Sequence, residues 1–253
     1  MAKSKKRPGQ TEEPNQENES NELGEDIQAG TSKRSLEEKI EDFALQYKKE
    51  LGIGVSVVII LILGYVGYSQ LILAPMEEEA SEEMFRAEWA FENDDFETAL
   101  NGEPGEFMGF KEIADQYGNT SAGNLAKYYT GISSLQTGEY QQAINYLEGF
   151  STNSKMLGPL RLGALGDAHS QLGNYDQAVS YYIRAAERED NPLTSPIFFK
   201  KAGQTYEEIE NFQEALNAYQ QIEDNYQESE AADDIVKYIS RVESKIETTT
   251  AGS

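Results

Sequence analysis

The sequence contains no cysteine and a single histidine, His169. Disulfides, thiolate nucleophiles and cysteine-ligated zinc are thereby excluded. One histidine cannot build a histidine-rich metal site either. No glycine-rich segment has the spacing of a phosphate loop, and no convincing alternation of period two marks a strand. Basic residues are scarce: 21 Lys and Arg stand against 45 Asp and Glu, a formal charge of −24. Residues 1–50 hold nine basic and twelve acidic groups, and residues 75–253 hold twelve and thirty-three. A segment that acidic repels nucleic acid and anionic headgroups. Neutral, basic or apolar surfaces suit it as partners, and much of the excess is a solvated helical surface. The expectation is of no catalytic residue, cofactor or metal, and of no nucleic acid as partner.

Long apolar runs are absent with one exception. Leu51–Ala74 carries no charged residue over 24 positions. A helix of that length covers roughly 36 Å, against a hydrocarbon core of about 30 Å. Its polar side chains are Ser56, Ser69 and Gln70, and Tyr65 and Tyr68 suit the interface. The run is longer than a signal peptide core and lies some 50 residues into the chain, so it reads as an uncleaved anchor. Lys48 and Lys49 precede it, backed by Lys33, Arg34, Lys39 and the cluster Lys3-Ser4-Lys5-Lys6-Arg7. After it come Glu77, Glu78 and Glu79, with no basic residue before Arg86. This bias places the N-terminus in the cytoplasm and residues 75–253 across the membrane.

Residues 1–34 are polar and too poor in apolar side chains to order themselves, so a disordered tail is expected. Ser35 and Glu38 have capping-box spacing, and Leu36, Ile40, Phe43, Ala44, Tyr47 and Leu51 recur at helical intervals. An amphipathic juxtamembrane helix over 35–50 follows, with Gly52 and Gly54 as the place to bend. Residues 75–123 read as helices with a degenerate repeat around Ala87, Asp94, Phe96 and Ala99. Gly102-Glu103-Pro104-Gly105 interrupts it, and a fresh helix then carries Phe107, Phe110, Ile113, Ala114 and Tyr117.

Three copies of one pattern occupy 124–225. Gly131, Tyr140 and Ala143 in the first correspond to Gly166, Tyr175 and Ala178 in the second. Gly203, Phe212 and Ala215 complete the set, so that the alanines lie 35 and 37 apart. The small residues let paired helices approach, the aromatics open each second helix, and Gly138, Gly173 and Asn211 suit the turns. A capping helix over 226–247 puts Ala232, Ile235, Ile239 and Val242 on one face, and 248–253 reads as a disordered tail.

These residues resemble the tetratricopeptide repeat, a unit of about 34 residues in two antiparallel helices. The resemblance implies an all-α fold: a single N-terminal transmembrane helix followed by a helical solenoid. The layout of anchor and acidic repeats also resembles the membrane-anchored ancillary subunit of the bacterial SecYEG translocon, the YfgM type. Phe110–Ala122, leading into Leu125 and Ala126, is similar to that family's link before its repeats. The long polar head and the insertion at Gly102–Gly105 depart from it. This resemblance implies a single-pass protein of the bacterial inner (plasma) membrane with its C-terminal domain in the periplasm. Translocon subunits, periplasmic chaperones or emerging chains are the partners it implies.

Each candidate site has a plain reading beside it. His169 takes a repeat position usually filled by a packing aromatic. The pairs Asp94-Asp95, Glu207-Glu208 and Asp233-Asp234 are adjacent, and adjacent helix residues do not face each other. Glu77–Glu79 reads as a solvated helix start before it reads as a cation site. What remains is surface. In tetratricopeptide arrays the first helix of each pair lines a groove, and carrying over those positions gives three sets. They are Tyr128, Ile132 and Leu135; Asp167, Ser170 and Gln171; and Lys200, Gln204 and Glu207. This groove is expected to hold an extended or helical peptide. The expected function is a protein–protein interaction scaffold beside the secretion machinery. The rivals are a scaffold for cell-envelope or cell-division complexes, a homo-oligomeric organiser and a membrane-tethered hydrolase. Gly64 and Tyr68 are not a convincing small-residue pair for association through the span.

Overall fold

The computed structural model describes residues 40, 41, 43 and 45–251. The expected tail 1–34, the capping pair Ser35 and Glu38, and Leu36, Ala44, Gly252 and Ser253 lie outside them. The chain divides into a unit ending at Val58 and a second starting at Ile59.

In the first unit, residues 40, 41, 43, 45 and 46 are helical and Tyr47 forms a turn. The Phe43 and Tyr47 rings sit 4.8 Å apart. Helix α1 (Lys48–Tyr68) then begins. Gly52 and Gly54 lie inside it, so the break falls at Tyr47 rather than at the glycines. The Ser56 hydroxyl bonds the Gly52 carbonyl at 2.8 Å. No other side chain competes there for the peptide groups among the described residues, and the backbone keeps its own ladder.

A π-helical turn, Ser69–Leu73, leads into α2 (Ala74–Glu92). The Ala74 amide bonds back to the Ser69 carbonyl, one residue further than in an α-helix. This widened turn accommodates Pro75, which has no amide hydrogen to donate. Pro75, the expected boundary after the span, therefore sits inside a helix of 45 residues, Lys48–Glu92. Among the described residues this is the one helix long and apolar enough to cross a membrane. Gly52 through Val66 are all exposed.

The second unit continues with α3 (Phe96–Asn101), two short strands β1 (Gly102–Glu103) and β2 (Phe107–Met108), and α4 (Phe110–Gln116). The strands pair antiparallel, Gly102 with Met108 and Glu103 with Phe107. Two-residue strands are too short to show alternation in a sequence. The interruption at 102–105 is thus a hairpin, and Phe107 belongs to β2 rather than to the following helix. Glu83 on α2 accepts from the Met108 amide at 3.0 Å, and Arg86 donates to the Glu106 carbonyl at 2.5 Å.

Three helix pairs follow: α5 (Ser121–Gln136) with α6 (Tyr140–Gly149), α7 (Leu157–Gln171) with α8 (Tyr175–Glu187), and α9 (Ser195–Glu208) with α10 (Phe212–Asn225). A 3₁₀ turn, Glu230–Ala232, precedes α11 (Ile235–Ala251). The expected aromatics Tyr140, Tyr175 and Phe212 are the first residues of their helices. Four turns share one hydrogen-bond pattern. The amides of Asp95, Glu139, Asn174 and Asn211 bond the carbonyls of Ala90, Ser134, His169 and Tyr206, five residues back. This is a Schellman closure, and the residue before each of those amides is left-handed: Asp94, Gly138, Gly173 and Glu210. In the third pair the left-handed residue is thus Glu210, and Asn211 caps α10. The shared turn makes α2 and α3 a fourth hairpin of the same kind.

The helices in each pair meet at a glycine. A Cβ on Gly131 would lie 2.5 Å from the Leu147 side chain; on Gly166, 2.5 Å from Tyr182; on Gly203, 2.3 Å from Tyr219. Leu147, Tyr182 and Tyr219 are buried, as are Ala143, Ala178 and Ala215. One hydrophobic cluster joins α6 through α11, with Ile235, Ile239 and Val242 supplied by the last helix. A second joins α2 to α4 with the start of α5, around Phe110, Ile113 and Ala126. Ala232 lies in the 3₁₀ turn rather than on the helix face. The expected tail at 248–253 is helical as far as Ala251. The hydroxyls of Thr248, Thr249 and Thr250 bond carbonyls four residues back at 2.7–2.9 Å, which satisfies them without leaving the helix.

Candidate functional site

The nine groove residues lie on α5, α7 and α9, the first helices of the three pairs. Their surroundings separate them into an apolar and a polar group. Tyr128, Ile132 and Leu135 are half-buried and pack against the main core. The Tyr128 ring lies 5.3 Å from Phe150 and 5.9 Å from Tyr129, and burial raises its hydroxyl pKa. These side chains serve the interior as well as the surface.

Four of the polar members, Asp167, Lys200, Gln204 and Glu207, are engaged with the element one repeat on. Lys201 donates to both carboxylate oxygens of Asp167, at 2.6 and 2.8 Å. Lys200 meets Asp234 at 2.5 Å, and the Gln204 amide reaches the Tyr238 hydroxyl at 3.5 Å. Arg241 makes a two-pronged contact with Glu207, its Nε at 3.0 Å from Oε2. Each of these four pairs spans 34 residues. That offset is one repeat, so the bonds form a short ladder: one joins α7 to α9, and three join α9 to α11 and the turn before it. Tyr182 and Tyr219, on the second helices, donate to Asp167 and Glu207 at 2.7 and 2.8 Å. The phenols face carboxylates in half-dry surroundings, and burial raises both their pKa values first.

Glu207 is the most enclosed of the ladder acids, its side chain 9% exposed. Burial opposes its charge. Hydrogen bonds from Arg241 and Tyr219, with the charges of Arg241 and Lys245, outweigh burial and hold the carboxyl below its ordinary pKa. Tyr238 is covered by two cations, Lys200 at 4.9 Å and Arg241 at 4.6 Å from its ring centre. Asp234, Tyr238 and Arg241 were absent from the expected set. The signal for them was available, because each lies one repeat length beyond a predicted groove residue.

Two concavities open on this face. The smaller, about 320 Å³, gathers Leu135, Asp167, Ser170 and Gln171 with Tyr140 and Lys201. The larger, about 1160 Å³, lies between the start of α9 and the segment joining α10 to α11, and takes in Lys200 and Gln204. Tyr128, Ile132 and Glu207 line neither.

Of the remaining sequence candidates, His169, Asp94, Asp95 and Glu77 have structural employment. His169 stacks on Tyr181 at 5.2 Å, and its Nδ1 is buried without a hydrogen-bond partner. Burial lowers its pKa against the opposing charge of Glu148. Asp94 is the left-handed turn residue, and Asp95 caps α3 by accepting from the Thr98 amide. Glu77 accepts from the Ser121 and Ala122 amides at 2.5 and 3.1 Å, where its charge suits the α5 N-terminus. Among the described residues no cluster of three or more metal-ligating side chains occurs.

No curated protein matches the chain. Residues 162–194 and 201–229 each match the tetratricopeptide repeat. The matched segments are the second and third helix pairs, whose turns and glycine contacts recur in the first. The chain carries tetratricopeptide repeats, and the face described above is that of their first helices.

Proposed function

We propose that this chain is a membrane-anchored scaffold that holds other proteins beside the bacterial secretion translocon or its periplasmic chaperones. Tetratricopeptide repeats indicate a protein-binding scaffold. One observation carries the membrane reading: the uncharged segment Leu51–Ala74 is helical, exposed over Gly52–Val66, and runs without a break into the first helix of the folded unit. An apolar helix with no protein cover is stable in lipid and costly in water. Basic residues before the span and their scarcity after it favour a cytoplasmic N-terminus and a periplasmic repeat domain. The mechanism is local concentration: an anchor holding the repeats near an exit site raises their encounter rate with emerging chains. The resemblance to the translocon's ancillary subunit supports the choice of neighbour.

Two measurements test this. Protease added to intact spheroplasts degrades residues 75–253 and spares the N-terminal tail; protection of the repeats would reverse the sidedness. Crosslinking in intact membranes captures translocon subunits or periplasmic chaperones. Capture of envelope or division proteins alone would replace this reading with the rival scaffold.

A further inference from the structure

The larger concavity differs from the rest of the first-helix face in carrying free charge of one sign. Its apolar floor is Leu193 and Ile197, 68% and 48% exposed, flanked by Pro192 and Pro196. Large aliphatic side chains this open to water are uncommon on the repeat pairs, and here two lie in one depression. Two lysines line it, and both are engaged: Lys201 by Asp167, Lys200 by Asp234 and the Tyr238 ring. Four carboxylates line it with no ion-pair partner among the described residues: Asp224, Glu228, Glu230 and Asp233. The site therefore offers apolar contact inside an unbalanced negative rim. At about 1160 Å³ it exceeds the roughly 300–1,000 Å³ of a small-molecule site. It suits a stretch of peptide several residues long.

We infer that this pocket binds basic, aliphatic peptide segments, with a Leu or Ile side chain on Leu193 and Ile197 and flanking Lys or Arg side chains on the acidic rim. The inference rests on the protein-binding reading above and narrows it in place and chemistry. The ladder explains the place. On α9 the polar groups Lys200, Lys201, Gln204 and Glu207 are satisfied across to α7, α11 and the turn before it. The loop from α10 to α11 sets Glu228, Glu230 and Asp233 beside the Lys200–Asp234 pair, and none of the three has an ion-pair partner among the described residues. An acidic partner is repelled by that rim, and a second copy of this acidic chain is disfavoured for the same reason.

The test is a fluorescence anisotropy titration of the full chain in mild detergent with three labelled heptapeptides. One alternates Lys and Leu, one alternates Glu and Leu, and one alternates Lys and Ser. The Lys/Leu peptide binds, the other two bind at least tenfold more weakly, and rising salt weakens the first. The triple variant Glu228→Gln, Glu230→Gln, Asp233→Asn changes exposed side chains only. It lowers affinity about tenfold, as three solvent-facing ion pairs of modest strength imply. Ile197→Ser lowers it by a comparable factor. Unchanged affinity in both variants would overturn the pocket. Loss of binding in Tyr128→Ala but not in Ile197→Ser would also overturn it, yet leave the scaffold reading intact. Peptide binding as expected, with no protein captured in membranes, would sink the scaffold reading and keep the pocket.

Discussion

Replacing Glu207 with alanine tests whether the ladder holds the last helix in place. The change removes the acceptor for Arg241 and for the Tyr219 hydroxyl. A charged hydrogen bond contributes about 1.5–3 kcal/mol. Arg241 is 42% exposed, which reduces its share to about 1 kcal/mol. Tyr219 is fully buried, and its stranded hydroxyl costs about 1–3 kcal/mol. The expected loss is thus about 2–4 kcal/mol, or roughly 5–15 °C in Tm for a unit of this size. The loss is local, because α11 packs on α10 and the preceding 3₁₀ turn at the end of the array. Repeat arrays unzip from their ends. Hydrogen exchange followed by mass spectrometry should therefore show faster exchange in Ile235–Ala251 and little change in α7 and α8. Arg241→Ala alone costs less, and the double variant costs less than the two singles together. A Tm within 1 °C of the parent, or additive losses, would refute the argument that Glu207 joins three elements.

His169→Phe keeps the stack on Tyr181 and removes the unpartnered nitrogen. The folded pKa of His169 is lowered, so the unfolded chain takes up its proton first as pH falls. Stability is therefore present above the ordinary histidine value and is lost as pH drops below it. Urea titrations at pH 7.5 and 5.5 should show a smaller acid-side loss for the variant than for the parent; equal losses would assign the loss elsewhere. Tyr128→Ala with Ile132→Ala weakens partner capture and also costs about 2 kcal/mol, because both side chains are half-buried against the core. Pull-down well below the lowered Tm separates these effects, and undiminished capture would remove the apolar end of the face from partner binding.

The order of residues was enough for the helical class, the repeat and its period. Small residues at 131, 166 and 203, aromatics at 140, 175 and 212 and alanines at 143, 178 and 215 are local requirements of helix pairing. A requirement that recurs is legible without coordinates. The uncharged run at Leu51–Ala74 was legible as one long apolar helix for a similar reason, since no charge interrupts it over 24 positions. That Pro75 lies within a helix was not legible, because a π turn before it removed the conflict. Nor was the hairpin at Gly102–Met108, whose strands are too short to leave a periodic trace. The polar ladder is the larger case. Asp167, Lys200, Gln204 and Glu207 read as free groove side chains when each repeat is considered alone. Stacking the repeats places each beside a residue 34 positions on, and charges that close in half-dry surroundings pair with one another before they meet a ligand. Which acids then stay unpaired, Asp224, Glu228, Glu230 and Asp233 among the described residues, is decided by that packing.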